Sequence, residues 1–109
     1  MAYTITVTWT LNGVTVNNKA EWITFFESFH NDNYLDWCNT RPETAIEFFE
    51  FNGAEVKRTS TYENEAAWIA WSETPKPADV QDGYDARKAA GHTCVTTDSE
   101  GNVIQSYIS

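Results

Sequence analysis

The chain is poor in several residue types at once. Its 109 residues hold two cysteines, one methionine, two histidines, three prolines and five glycines. Two cysteines without a Cys-x-x-Cys spacing cannot build a disulfide framework, and Cys38 and Cys94 are read as free thiols of a reducing compartment. The histidines, His30 and His92, are too far apart for a His-Glu-x-x-His zinc helix. The glycines nowhere form a phosphate-binding loop or a Gly-x-Ser-x-Gly elbow, and no calcium loop is present. No apolar run approaches the roughly 20 residues that span a bilayer. The opening residues alternate like a strand and lack the basic and apolar regions of a secretion signal, so the expected location is cytoplasmic. Basic residues are scarce as well: seven Lys and Arg stand against sixteen Asp and Glu, a net charge of −9. That field repels phosphate backbones and anionic lipid, so neither nucleic acid nor membrane is expected as a partner. No cofactor and no metal are expected.

What the chain does have is aromatic mass. Five Trp, five Tyr and six Phe are spread over 109 residues. Each such ring, fully buried, contributes roughly 1.5–3 kcal/mol. A single domain over residues 1–109 can therefore form a core without disulfides or metal. Rings that one small core cannot hold favour an interface, where Trp and Tyr are enriched.

Tyr3, Ile5, Val7, Trp9 and Leu11 alternate with four threonines, a strand with one apolar and one polar face. Asn12-Gly13 suits a type I′ turn and predicts a hairpin that sets Leu11 opposite Val14 and Trp9 opposite Val16. Asn18, with Glu21 three residues on, is a helix cap, and Trp22, Phe25, Phe26 and Phe29 follow at helical spacing. This helix is expected to fade near Asn31-Asp32-Asn33, and 34–38 to form a helical turn or a packed loop. A second Asn-Gly, at 52–53, predicts a hairpin with Glu47 opposite Arg58, Phe49 opposite Val56 and Glu50 opposite Glu55. Aromatics on both faces of 44–51 imply a strand that is central, or one whose second face meets another chain. Asn64 caps a second helix through Trp71, ended by Pro75 and Pro77. A shorter helix is expected over 79–90 with Gly91 after it, then a hairpin of 92–97 and 102–108 with Gly101 in its turn. The order ββα-ββα-(α)-ββ is an α+β two-layer sandwich: an antiparallel sheet of hairpins with two main helices on one face.

The run from 18 to 71, with Arg58-Thr-Ser-Thr-Tyr-Glu-Asn-Glu-Ala-Ala-Trp-Ile at its end, resembles the ferredoxin-like dimeric α+β barrel superfamily. It is also similar to small accessory proteins of tailed phages. The first resemblance implies a sheet face covered by the same face of a second copy. It also implies the alternative of a small enzyme or binder of apolar ligands. The second implies a virion-associated location. Neither transfers a catalytic residue.

Candidate sites are correspondingly thin. His92 and Cys94 lie two apart on a strand and so share a face, the arrangement of a nucleophile and base or of half a metal site. His30, Asp32, Asp36 and Cys38 gather near the end of the first helix without any recognised ligand spacing. Tyr34, Trp37, Tyr62 and Trp71 sit near element ends, where rings line grooves or interfaces. Phe49 and Phe51 are the candidates for a shared sheet face. The expectation is a non-enzymatic interaction module that forms a homo-oligomer, a dimer foremost, through an aromatic sheet face.

Overall fold

A computed structural model describes residues 2–30, 33, 36–37 and 39–106. Five strands form one antiparallel sheet: β1 (Tyr3–Thr10), β2 (Glu43–Asn52), β3 (Glu55–Tyr62), β4 (Thr93–Asp98) and β5 (Val103–Ser106). Three helices accompany them among the described residues: α1 (Lys19–Glu27), α2 (Glu65–Ser72) and α3 (Ala78–Ala89). The α+β class and the antiparallel sheet agree with the sequence reading. The strand order is β2-β3-β1-β4-β5, which is not the standard ferredoxin-like order.

The first predicted hairpin does not form. β1 lies at the centre of the sheet, paired along Tyr3–Thr10 with β3 and along Ile5–Thr10 with β4. The expected return strand contributes only a single bridge, from Val16 to Gly53. A three-residue return strand offers few ladder bonds, whereas β3 supplies eight residues of register. Gly13 adopts φ +70°, but Asn12 does not take the positive φ that a type I′ turn requires of both central residues. Asn12 instead donates its backbone N–H to His92 Nδ1 at 2.9 Å and its side-chain amide to the Ala90 carbonyl at 3.1 Å. The reversal is thereby docked on the α3–β4 connection.

The second hairpin forms one residue further along. Asn52 pairs with Glu55, so Gly53 (φ +65°) and Ala54 make the turn, with glycine first as a type II′ reversal prefers. Phe51 then faces Val56, and Glu50 faces Lys57 rather than Glu55. The Lys57 ammonium lies 3.6 Å from Glu50 and 3.7 Å from Glu55, so the expected repulsion between two acids is bridged by a cation. A bulge between Phe48 and Glu50 shifts the register again, and Arg58 lies opposite Phe48, not Glu47. The bulge also puts Phe48 and Phe51 on one side, where their rings stack at 5.7 Å. β2 is an edge strand, which rules out the central position, one of the two alternatives that its aromatics implied.

Both main helices begin as expected. Asn18 accepts from the Glu21 N–H at 2.9 Å and Asn64 from the Ala67 N–H at 2.8 Å. α1 lays Trp22 on Trp9 (4.7 Å between centroids), and α2 brings Trp68 to Tyr3 (6.1 Å). α3 spans the predicted segment, with Gly91 (φ +91°) after its last turn. The closing hairpin turns over Asp98–Asn102 with Gly101 at φ +84°, and Asp98 accepts from the N–H groups of Glu100 and Asn102. The face of β1 away from the helices carries Thr4, Thr6, Thr8 and Thr10. The sheet face that the helices leave is therefore rich in threonine, not in aromatics, and Thr4 meets Thr61 across it at 3.2 Å.

Candidate functional site

Alternation along β1 and β3 decides what faces the helices. On β1 these are Ile5, Val7 and Trp9, all buried; on β3 they are Val56, Arg58, Ser60 and Tyr62. Arg58 thus holds a position that the period of the strand marks as inward. Its guanidinium stands 5.3 Å over the Trp9 ring, a cation–π arrangement that recovers part of the cost of removing the charge from water. On α3 the spacing Val80, Gly83, Arg87 likewise marks one buried helical stripe, and Arg87 is only 1% exposed. The Arg87 guanidinium lies 4.5 Å from both the Phe26 and the Tyr84 rings.

These side chains form part of a cavity of about 140 Å³ between the sheet and the helices. Its floor includes Val7, Trp9, Cys94 and Thr96; its walls include Trp37, Trp71 and Tyr84. The Trp37 and Trp71 rings lie 4.7 Å apart, and the Lys76 ammonium is 5.9 Å from Trp37 and 5.4 Å from Tyr84. Rings and cations therefore alternate around the opening. Five of the seven basic residues of the chain line this one cavity: Arg41, Arg58, Lys76, Arg87 and Lys88. Asp85 is the one acid among the described lining residues. Arg41 is ion-paired with Glu43 at 2.7 Å. A protein of net charge −9 has gathered most of its positive charge around one partly open hollow.

The charge is felt by neighbouring groups. Burial pushes the Cys94 thiol up to about 12, against the opposing pull of Arg87 and Arg58. Burial, with Arg87 acting in the same sense, lowers His30 to about 4; His92 is lowered by the same two causes. Tyr62 rises to about 12 through burial and the charge of Glu43.

Four of the twelve residues singled out from sequence meet here: Trp37, Tyr62, Trp71 and Cys94 all line the cavity. His92 does not. Its Nδ1 accepts from Asn12, and its ring packs edge-on against Phe25 (5.0 Å) and Phe29 (5.7 Å). Cys94 is a buried thiol held in its protonated form, so the proposed nucleophile–base pair is not assembled. Phe49 is half exposed on β2 and Phe51 packs on Phe48, both away from the cavity. Tyr34, Asp32 and Cys38 lie outside the described residues. His30 is packed against Phe26 and Tyr84, while Asp36 is exposed. Among the described residues no three His, Cys, Asp or Glu come close enough to hold a metal ion. No helix is long and apolar enough to cross a membrane.

Sequence reasoning missed the cations. The signal was present as Arg58 on the inward side of Val56-x-Arg58-x-Ser60-x-Tyr62, and as Arg87 seven residues after Val80. Comparison with known proteins gives no match: no family model, no curated protein and no solved structure is significantly similar to this chain.

Proposed function

We propose that this protein is a non-enzymatic binding module whose ligand is a small molecule held in the cavity between the sheet and the helices. The observation that carries this reading is the cavity itself, walled by Trp37, Trp71 and Tyr84 and open to solvent on one side. Binding sites for small molecules are mostly apolar and aromatic, with a few polar groups to orient the ligand. Chemistry is not supported in the same way. Cys94 stays a thiol, His92 spends its acceptor nitrogen on Asn12, and Asp85 is the lone described carboxylate of the lining. At about 140 Å³ the space is small, close to the roughly 150 Å³ engineered cavity that accepts benzene.

A panel of single-ring compounds, followed by saturation-transfer NMR, tests the reading. Members of the panel are expected to contact the wild-type protein and to lose that contact in Thr96→Leu, which fills the cavity from its floor. A panel in which nothing binds, or in which filling the cavity changes nothing, removes it.

A second reading, self-association into a homodimer, has its own support. Ile46 is 51% and Phe49 is 50% exposed, and both stand on a ten-residue edge strand. Unpaired edges of this kind template pairing with another chain, whereas the bulge at Phe49 and the glutamates of β2 are devices that blunt such pairing. Light scattering at micromolar concentration decides between them: a species of twice the chain mass supports the dimer, and a monomer throughout excludes it.

A further inference from the structure

Resting on the ligand-binding reading above, we infer that the cavity selects a neutral planar ring with an amide edge, a carboxamide or a ring lactam. Thr96 carries the inference. Cys94 and Thr96 are the residues of β4 that line the cavity, and Thr96 is only 4% exposed. Alternation along β4 sets this position in the layer that faces the helices, opposite Val7 of β1. Its hydroxyl has no hydrogen-bond partner among the described residues. A buried hydroxyl left without a partner costs free energy, and a ligand that supplies the partner recovers it. A purely apolar ligand leaves that cost in place.

Gln105, on the neighbouring strand, adds a second neutral polar group. It is the cross-strand partner of Thr96, so the two side chains share one face of the sheet, and both line the cavity. Thr96 lies at the floor, whereas Gln105 is exposed at the rim. Directly opposed residues have Cβ atoms roughly 4.5–5.5 Å apart, a span within reach of one amide group. A hydroxyl both donates and accepts, and a side-chain amide presents a donor beside an acceptor. The edge that satisfies both carries an N–H and a C=O side by side. The guanidinia of the wall are held by groups of the protein itself: Arg41 by Glu43, Arg58 over Trp9, and Arg87 against Phe26 and Tyr84. The Trp37–Trp71 pair, 4.7 Å between centroids, offers the ring of the ligand its apolar surface.

Titration calorimetry on the intact protein with benzamide, toluene, benzoate and benzylamine tests the inference. Benzamide is expected to bind about tenfold more tightly than the other three, the ratio one recovered hydrogen bond supplies. Thr96→Val keeps the branched shape and removes the hydroxyl. It is expected to weaken benzamide about tenfold, to leave toluene unchanged and to raise the urea midpoint of the unliganded protein. A lowered midpoint would mean that the hydroxyl is already bonded, and overturns the inference. Gln105→Met, at the exposed rim, is expected to weaken benzamide several-fold with the circular dichroism spectrum unchanged, and it carries the test if Thr96→Val does not fold. Toluene binding as tightly as benzamide, or benzamide indifferent to both substitutions, overturns the amide preference and leaves the cavity a ligand site. Benzoate or benzylamine binding as tightly as benzamide overturns the neutral class. Absence of heat with all four compounds overturns both this inference and the binding reading beneath it.

Discussion

Gly83 shows how one missing side chain sets the spacing of the helical layer. It is buried in the middle of α3, and a Cβ built on it would stand 2.2 Å from Nδ1 of His30 and 2.8 Å from the carbonyl oxygen of Phe29. Alanine is the better helix former by about 1 kcal/mol, but overfilling a packed site costs about 1–3 kcal/mol. The imidazole can give way; the backbone oxygen cannot. Gly83→Ala is therefore expected to destabilise the protein by about 1–2 kcal/mol in urea unfolding. A stabilised variant would mean that α3 does not pack on the end of α1. Cys94 provides a second check at the same level. A buried thiol held up to about 12 is a poor nucleophile, so iodoacetamide at pH 8 should label Cys94 only as the protein unfolds. Labelling at the rate of a free thiol would contradict the packing around it.

Helix caps and strand faces were legible because they depend on neighbours in sequence. Asn18 and Asn64 both accept an N–H three residues on, and alanine at either is expected to cost about 1 kcal/mol in thermal or denaturant unfolding. Strand partners were not legible in the same way. Period two assigns Trp9 to a face but cannot say that its neighbours are Val56 and Cys94, which lie 47 and 85 residues away. The local partner implied by Asn12-Gly13 lost to these longer ladders. In β2 the bulge cannot be read from the alternation, and it moved Phe51 from an expected open face to a stack on Phe48. Substitutions at these two phenylalanines are therefore expected to differ. Phe49→Asp should leave stability within about 0.5 kcal/mol, as a surface change. Phe51→Asp should cost about 2 kcal/mol or more, because it puts a charge against the core. Equal effects on unfolding would contradict the register described for β2. The site was half legible for a related reason. Its rings stand out as element-end aromatics, whereas Arg58 is expected only as the cross-strand partner of Glu47, although its alternation with Val56 and Tyr62 turns it inward.

The pH dependence of folding follows from groups buried in their neutral forms. His30 and His92 titrate below the ordinary 6.5, His30 near 4, so the folded chain binds fewer protons than the unfolded one in mild acid. Their contribution is fully present above about pH 6.5 and is lost as pH falls toward 4. Cys94 and Tyr62 act in the opposite direction. Both are raised to about 12, so stability is lost as pH climbs through the ordinary thiol value of 9.0 and the phenol value of 10.0. Urea midpoints are thus expected to be flat between pH 6.5 and 9.0 and to fall on both sides. A midpoint unchanged from pH 7 to 5 would contradict the burial of the two imidazoles. The same interior holds a ring-walled hollow of about 140 Å³ between the sheet and the helices, and that a small molecule occupies it is the central claim. Its most direct test is an NMR titration with the single-ring compounds, following the indole signals of Trp37 and Trp71. Saturable shifts of these two, with one common dissociation constant, are the expected result. Shifts concentrated on Lys19 and Lys57, which lie off the cavity, or no saturable shift at all, would contradict it.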